Sequence, residues 1–455
     1  EPASRLVRLP TNLTAAAVNP ENGDVAFVSL RSGQLWLLKS AWFDGDAAAR
    51  IGPVTNVEYP SWVTFKRYED RLFVVVGCFA AGPVRVFAAD TLQPLRFAHN
   101  QRADAVWLSV SRNPADPLIY VSSRSNDKPV VCVVNLAAKQ LPLHPLLTFG
   151  RSPAKVAGAV VSYSGRTLYK FGDEDRRLTA WRVHSPDSPD KPPRLERLAD
   201  LPDDAAARSQ PPIALPYDLG LLDGGAILLP QATPVRRALP TPASCVLDSQ
   251  PLACGLSGQQ LSLVSLDAPR VLASRPVAAE LFEYQPHERE IVARTSDSDR
   301  RFVIHPVVLA DSGRNRILVL GNRDVQILPR SDLPPTDKVW LGLEVDLPRA
   351  ITAGKPWTAQ VRKTDLASRV RLQAAPDSMT LQDDVLAWTP PRETLGRTTF
   401  SLRLERDEES VQHDLSVEVK GPALSSPFTA SRVAVSPDGK RLTAWRNDGP
   451  NAELA

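Results

Sequence analysis

Chemistry needs nucleophiles, acids, bases or metal ligands at short, convergent spacings, and this chain holds four cysteines, six histidines and several paired acids to be tested for them. The histidines, at 99, 144, 184, 287, 305 and 413, are scattered and show neither HxH nor HxxxH spacing, so a metal cage or a triad is not indicated. Ser162, Ser164 and Ser436 sit in turn sequences rather than in a G-x-S-x-G elbow between strand and helix, and their hydroxyls are expected to cap backbone groups. Asp44-Gly-Asp46, Asp173-Glu-Asp175 and Asp297-Ser-Asp299 offer clustered oxygens of the kind calcium takes. None follows the EF-hand spacing, and turns attract Asp for local hydrogen bonding. No catalytic, cofactor-binding or metal-binding residue is therefore assigned. Asn12-Leu-Thr14 is a glycosylation sequon, which matters only in a host with that machinery.

Cysteine and tryptophan carry the remaining candidates. Cys78 and Cys132 lie inside the apolar runs Val-Val-Val-Gly-Cys-Phe and Val-Val-Cys-Val-Val, where a thiol behaves as a small hydrophobe. Cys245 and Cys254 flank a short loop containing Pro251, and in an oxidising compartment a bridge between them would contribute roughly 2.5 to 3 kcal/mol. The nine tryptophans are spread along the chain, as core packing would have them. Trp42 and Trp62 fall near expected turns and are candidates for a partner-binding rim.

The elements that must position these residues follow from composition. A length of 455 residues gives a prior of roughly three domains. Lys plus Arg is 54 against 51 Asp plus Glu, interleaved along the chain, so a polyanion such as nucleic acid is not an expected partner. No apolar stretch approaches the ~18 residues of a membrane-spanning helix. With 42 prolines against 23 glycines, long helices are disfavoured and the chain is cut into short strands and turns. It opens on Glu1 and holds one methionine, Met379, which fits a processed mature chain with its signal peptide removed.

The first ~330 residues repeat a turn, an apolar run, a second turn and a second apolar run. Val18-Asn-Pro-Glu-Asn-Gly-Asp24 leads into Val25-Ala-Phe-Val-Ser-Leu30, and Arg31-Ser-Gly33 turns the chain into Gln34-Leu-Trp-Leu-Leu-Lys39. Looser copies follow at Arg71 to Phe87, Pro117 to Val134, Ser162 to Val183 and Ser312 to Leu328. Residues 183–275 are punctuated by proline, and two degenerate copies are expected there, around Gly220 to Leu229 and Leu261 to Leu272. Near the C-terminal end, Arg441 to Arg446 repeats the Arg-Leu-Thr-Ala-Trp-Arg of Arg177 to Arg182 letter for letter, after the turn Ser436-Pro-Asp-Gly-Lys440. In these motifs the chain resembles the bacterial WD40-like and YVTN-like β-propeller family. The family's Trp-Asp ending is absent, since Leu37 follows Trp36 and Arg182 follows Trp181. The resemblance implies an all-β fold with a β-propeller of about seven blades over residues 1–333.

A different texture begins after Leu333-Pro-Pro335. Phe400 to Glu405 and Asp414 to Lys420 alternate apolar and polar residues with period two, the pattern of strands covered on one face. The stretch Ala375-Pro-Asp-Ser-Met-Thr-Leu381, then Val385-Leu-Ala-Trp-Thr-Pro-Pro391 and Gly396, resembles the putative-Ig, cadherin-like module of exported bacterial proteins, with Ser378 in place of the family glycine. An Ig-like β-sandwich is expected over 337–421. Residues 425–455 are read as a partial blade that either closes the first propeller or starts a second.

These resemblances imply a non-catalytic, exported interaction or scaffold protein, periplasmic or at the cell surface, whose partner is another protein or a second copy of itself. Two alternatives differ in class: a propeller enzyme, lactonase-like or a quinoprotein, with its site in the central channel, and a carbohydrate-binding module using rim aromatics. The enzyme would need convergent acids, histidines or amides on the inner strands. The inner-strand candidates Ala15 to Val18, Val160 to Ser162 and Val433 to Ser436 are mainly apolar or small.

Overall fold

The computed structural model describes residues 5–79, 83–98, 104–125, 128–149, 157–172, 178–184, 186, 188–201, 211–223, 225–229, 235–247, 250–266, 269–282, 290–294, 299–303, 306–329, 339–348, 350–406, 409–421, 432–435, 442–446 and 453–454. The apolar runs fold as strands, and each turn, apolar run and return builds one antiparallel meander. Sheet 1 is made of Ala15–Val18, Val25–Ser29, Gln34–Leu38 and Arg50–Val54. Sheet 2 comprises Pro60–Tyr68, Arg71–Cys78, Val84–Ala88 and Pro94–Phe97, and sheet 3 Asp104–Val110, Leu118–Ser125, Lys128–Asn135 and His144–Thr148. Sheet 4 holds Gly158–Val161, Thr167–Phe171, Leu178–Val183 and Leu195–Leu201.

The proline-rich stretch that follows also folds this way. Sheet 5 is Ile213–Ala214, Leu221–Asp223, Ala226–Leu229 and Val235–Ala238; sheet 6 is Cys245–Val246, Leu252–Ser257, Gln260–Ser265 and Arg270–Pro276. In both, the inner strand is down to two residues. Sheet 7 has Val307–Asp311, Arg316–Leu320 and Asp324–Pro329, and its fourth, outer strand is Arg5–Arg8 from the other end of the chain, with Val7 opposite Val325.

The second strands explain why the sequence reads as continuous apolar runs rather than alternating ones. All five residues of Val25–Ser29 are buried. Val25 and Phe27 point into a cluster shared with Leu318 and Ile327 of sheet 7, whereas Ala26 and Val28 point into one shared with Val63 and Val74 of sheet 2. A strand buried on both faces has no polar side to show. Every pair of consecutive sheets shares such a cluster: sheets 2 and 3 around Val75 and Ile119, 3 and 4 around Tyr120 and Leu168, 4 and 5 around Phe171 and Leu221. Sheets 5 and 6 meet around Leu222 and Val264, and 6 and 7 around Leu263 and Val319. Because sheet 7 also packs on sheet 1, the series closes on itself, and the arrangement is propeller-like. First strands lie innermost, since Ala15–Val18 touches both Pro60–Tyr68 and Val307–Asp311.

Residues 339–421 form two further sheets around one core. Leu343–Val345, Trp357–Lys363, Val385–Trp388 and Thr380–Gln382 make one; Ala350–Thr352, Glu409–Lys420, Gly396–Arg406 and Arg369–Ala374 make the other. Trp388, Leu386, Phe400, Leu402 and Val417 fill the space between them. The expected break at Leu333-Pro-Pro335 lies outside the described residues.

The C-terminal strands Arg432–Val435, Leu442–Arg446 and Glu453–Leu454 pair with one another, while the outer place in sheet 7 is taken by Arg5–Arg8. Their first hairpin repeats a register seen in the ring: Val435 stands opposite Leu442 as Val161 does Leu168 and Val18 does Val25. The turn Ser436 to Lys440 lies outside the described residues.

Candidate interaction surface

In an antiparallel meander, the connections from inner to second strand and from third to outer strand emerge on one face of the ring, here called the lower face; the other connections define the upper face. A site in the channel would be built from the seven inner strands. Their ionisable side chains other than cysteine are Lys66, Arg67, Tyr68, Asp104 and Asp311. Lys66 is 1% exposed and donates from Nζ to Ser111 O, Ser111 Oγ and Asn113 O, each at 3.0 Å. Asp311 is fully buried, accepting from Arg316 Nε at 2.7 Å and from the Arg314 backbone N–H at 3.1 Å. Both are committed to the fold, and among the described residues no group of three or more His, Cys, Asp or Glu stands where a metal ion would be held.

Instead, the lower-face turns form a belt. Arg316 reaches from sheet 7 to Asp44 and Ser40 of sheet 1, and Arg67 of sheet 2 pairs with Glu21 of sheet 1. The Glu69 N–H donates to Pro114 O, the Arg112 N–H to Tyr163 O, and the Ser164 N–H to Asp218 Oδ1 at 2.8 Å, so sheets 2 to 5 are stitched in order. On this belt, over sheets 3 to 6, sits the unit of residues 339–421. Arg166, in the sheet 4 turn, donates from Nη1 to Ser416 O and from Nη2 to Leu347 O. Trp340 enters the cluster between sheets 5 and 6 and donates from Nε1 to Leu247 O at 3.0 Å. The Tyr217 ring lies on Gly342, so close that a Cβ there would stand 2.7 Å from Tyr217 Cγ. Arg397 approaches Glu196 at 3.5 Å.

Charge at this contact is finely placed. Hydrogen bonds from Arg182 and His184, with the field of Arg397, hold the Glu196 carboxyl below its ordinary range. Burial pushes Glu344 up, against the opposing pull of Arg362 and Arg112. Burial also lowers His413, more than the nearby Asp218 and Asp414 carboxylates raise it. The bonds across this contact run mostly to backbone carbonyls.

The residues singled out in the sequence fall as follows. Trp42 is 6% exposed, packed edge-on against Phe43 in the cluster of sheets 7 and 1, so its indole does not stand on an open rim. The short helix Ser40–Phe43, nested between strands, turns it inward. Trp62 is half-buried near the upper-face end of the inner strand of sheet 2, packing against the cluster of sheets 2 and 3 and against that of Trp107 with sheets 4 and 5. Tyr59, three residues before it, is 39% exposed and has a positive φ of 44°.

Cys245 and Cys254 are direct cross-strand partners, and all four cysteines are thiols in the structure, so the expected bridge is not formed there. Asp44 and Asp46 serve Arg316 and the Ala48 N–H. Asp173-Glu-Asp175 and most of Asp297-Ser-Asp299 lie outside the described residues. Arg166, Tyr217 and Trp340 were not legible as docking residues. The only signal was that Arg166 belongs to the turn holding Ser162 and Ser164, whose hydroxyls accept from the Thr167 and Arg166 N–H groups.

No family model and no curated protein matches the chain. Among solved structures it is similar to the β-propeller domain of Myceliophteria thermophila Cps50 (Swd1), with 11% identity, a TM-score of 0.43, and coverage of 71% of this chain and 98% of that one. The propeller-like description rests on the closed series of sheets in the chain itself.

Proposed function

We propose that the chain is an exported, non-catalytic interaction protein: a seven-bladed β-propeller over residues 1–333, an Ig-like spacer over 337–421 docked on its lower face, and a partial blade over 425–455 that starts a second ring. The observation that carries this reading is the occupied lower face. With the spacer seated over sheets 3 to 6 there, the upper face is the broad loop surface on offer, bearing exposed Tyr59 and half-buried Trp62 near the axis. Loops on a rigid ring can vary and bind without disturbing the core, so recognition by shape is the function this geometry supports. The partner is a protein, or a second copy of the chain.

A photo-crosslinking residue placed at Arg31 or Tyr59 on the upper face, and in a parallel variant at Asp46 on the lower face, tests this in native host extract. Adducts with one protein, or with the chain itself, are expected from the upper positions only. Adducts confined to Asp46, or none from any position, would overturn the reading, and the mass of the purified chain in solution separates self-assembly from binding to another protein.

A further inference from the structure

We infer that Cys245 and Cys254 are a redox latch on the dock between the ring and the 339–421 unit: a disulfide between them tightens the seating of that unit, and seating in turn favours the disulfide. This does not rest on what the upper face binds. The two cysteines are direct partners on the inner and second strands of sheet 6. Cα atoms of antiparallel partners stand about 4.5 to 5.5 Å apart, inside the ~4.4 to 6.8 Å that a disulfide spans. The strand that carries Cys245 is only two residues long, Cys245–Val246. Its rungs divide between the thiols and the dock. Cys245 stands opposite Cys254 and Val246 opposite Ala253, and the Leu247 N–H then donates to Leu252 O at 2.9 Å. Trp340 of the second unit packs in one cluster with Val246 and Ala253, and its Nε1 donates to Leu247 O at 3.0 Å. The indole therefore holds the two residues that follow Cys245.

The sign of the coupling comes from the faces these groups occupy. Successive residues of a strand point to opposite sides. Cys245 and Cys254 belong to the cluster of sheets 6 and 7, with Ile317 and Val319, whereas Val246, Ala253 and Trp340 lie in that of sheets 5 and 6. A bridge and the indole thus clamp the same short pairing from opposite sides and do not compete for space. Each fixes backbone that the other needs fixed, so whichever forms second loses less conformational entropy. Such a coupling is reciprocal: docking raises the equilibrium constant for oxidation by the factor by which oxidation raises that for docking. The oxidant is a small disulfide of the glutathione class. The thiolate of Cys245, the half-buried member of the pair, attacks one sulfur of oxidised glutathione and releases one glutathione; the Cys254 thiolate then attacks Cys245 Sγ and releases the second. The protein loses two electrons and two protons, and one oxidised glutathione becomes two reduced ones.

The thiol–disulfide equilibrium of the full chain in glutathione buffers, quenched by alkylation and read by mass, tests the coupling. In Gly342→Val, whose side chain meets Tyr217 and unseats the unit, the equilibrium constant for the bridge should fall about fivefold or more below that of the wild type. Trp340→Phe, which keeps an aromatic ring but has no N–H for Leu247 O, should shift it in the same direction. The reverse arm reads the dock itself: amides of residues 339–347 should exchange about fivefold slower in the oxidised wild type than in the reduced, and Cys245→Ser should show no difference between the two buffers. Equal equilibrium constants in the wild type and Gly342→Val would overturn the inference. So would faster interface exchange in the oxidised chain, or a mixed disulfide on Cys245 that never closes. Should either dock variant fail to fold, the wild-type exchange arm decides, and equal exchange in the oxidised and reduced chain refutes the latch.

Discussion

Lys66 shows how a residue that looks available for chemistry is consumed by the fold. Its ammonium sits on an inner strand at 1% exposure, and the three acceptors around Nζ, all from Ser111 and Asn113, join sheet 2 to the lower-face turn of sheet 3. Replacing it with Met keeps the stem and strands those carbonyls without a donor, so Lys66→Met should lower stability by about 2 to 4 kcal/mol in urea unfolding, with no gain in flexibility elsewhere. An effect under about 0.5 kcal/mol would mean that water replaces the amine at no cost. The cysteines divide by the same logic. Burial pushes the Cys78 thiol up to about 12 and Cys132 to about 11, so neither offers a thiolate near neutrality. Cys245 is half-buried and faces Cys254 across two paired strands. Treatment of the folded chain with oxidised glutathione should therefore form one bridge, between Cys245 and Cys254, seen by peptide mapping and raising stability by roughly 2.5 to 3 kcal/mol. A mixed disulfide left standing on Cys245, with no bridge, would show that the strands hold the sulfurs apart. Bridging in chain isolated from its host would place the protein in an oxidising compartment.

At the scale of elements, the strand Arg5–Arg8 has a task out of proportion to its four residues, since it fills the outer place in sheet 7 and ties the two ends of the ring. Removing residues 1–8 leaves the edge of Asp324–Pro329 open and forfeits the pairing of four residues, at about 1 kcal/mol for each net hydrogen bond. A loss of about 2 to 4 kcal/mol in thermal or urea unfolding is expected, with new aggregation through the bared edge; unchanged stability would show that sheets 7 and 1 are held by their apolar contact alone. This closure is also where sequence reading stops. The hairpins of sheets 1 to 4 were legible because each second strand is buried on both faces and flanked by a polar turn, as Val25–Ser29 is. Sheets 5 and 6 were faint because inner strands of two residues, Ile213–Ala214 and Cys245–Val246, carry no period to detect. Arg-Leu-Val-Arg, with one face exposed and no turn marking it, cannot announce a partner more than three hundred positions away. Trp42 misled for a related reason. It lies in a connection, where exposure is the ordinary expectation, but the Ser40–Phe43 turn folds it back against Phe43 and the sheet 1 cluster.

For the whole molecule, the two units share material at their contact, and this decides how they come apart. Trp340 precedes the first strand of the second unit, yet its side chain is 6% exposed within the cluster of Leu222, Ile227 and Val264, which belongs to sheets 5 and 6. Arg166 on the ring and Gly342 in the second unit, by contrast, meet the other side of the contact without entering a core of the ring. The substitutions should therefore sort into two kinds. Arg166→Ala removes donors to Ser416 O and Leu347 O, and Gly342→Val drives a side chain into Tyr217; both should free the second unit, seen as an increased radius of gyration in solution, while the unfolding midpoint of the ring moves little. Trp340→Ala empties space inside the ring and leaves Leu247 O without its donor, so it should free the unit and also cost the ring about 3 to 5 kcal/mol. If Trp340→Ala loosens the dock but leaves the ring as stable as before, sheets 5 and 6 close without it and the units are joined only at their surfaces. If instead all three substitutions unfold both units together, the two units are one cooperative body, and the second unit contributes to the stability of the ring rather than resting on its lower face.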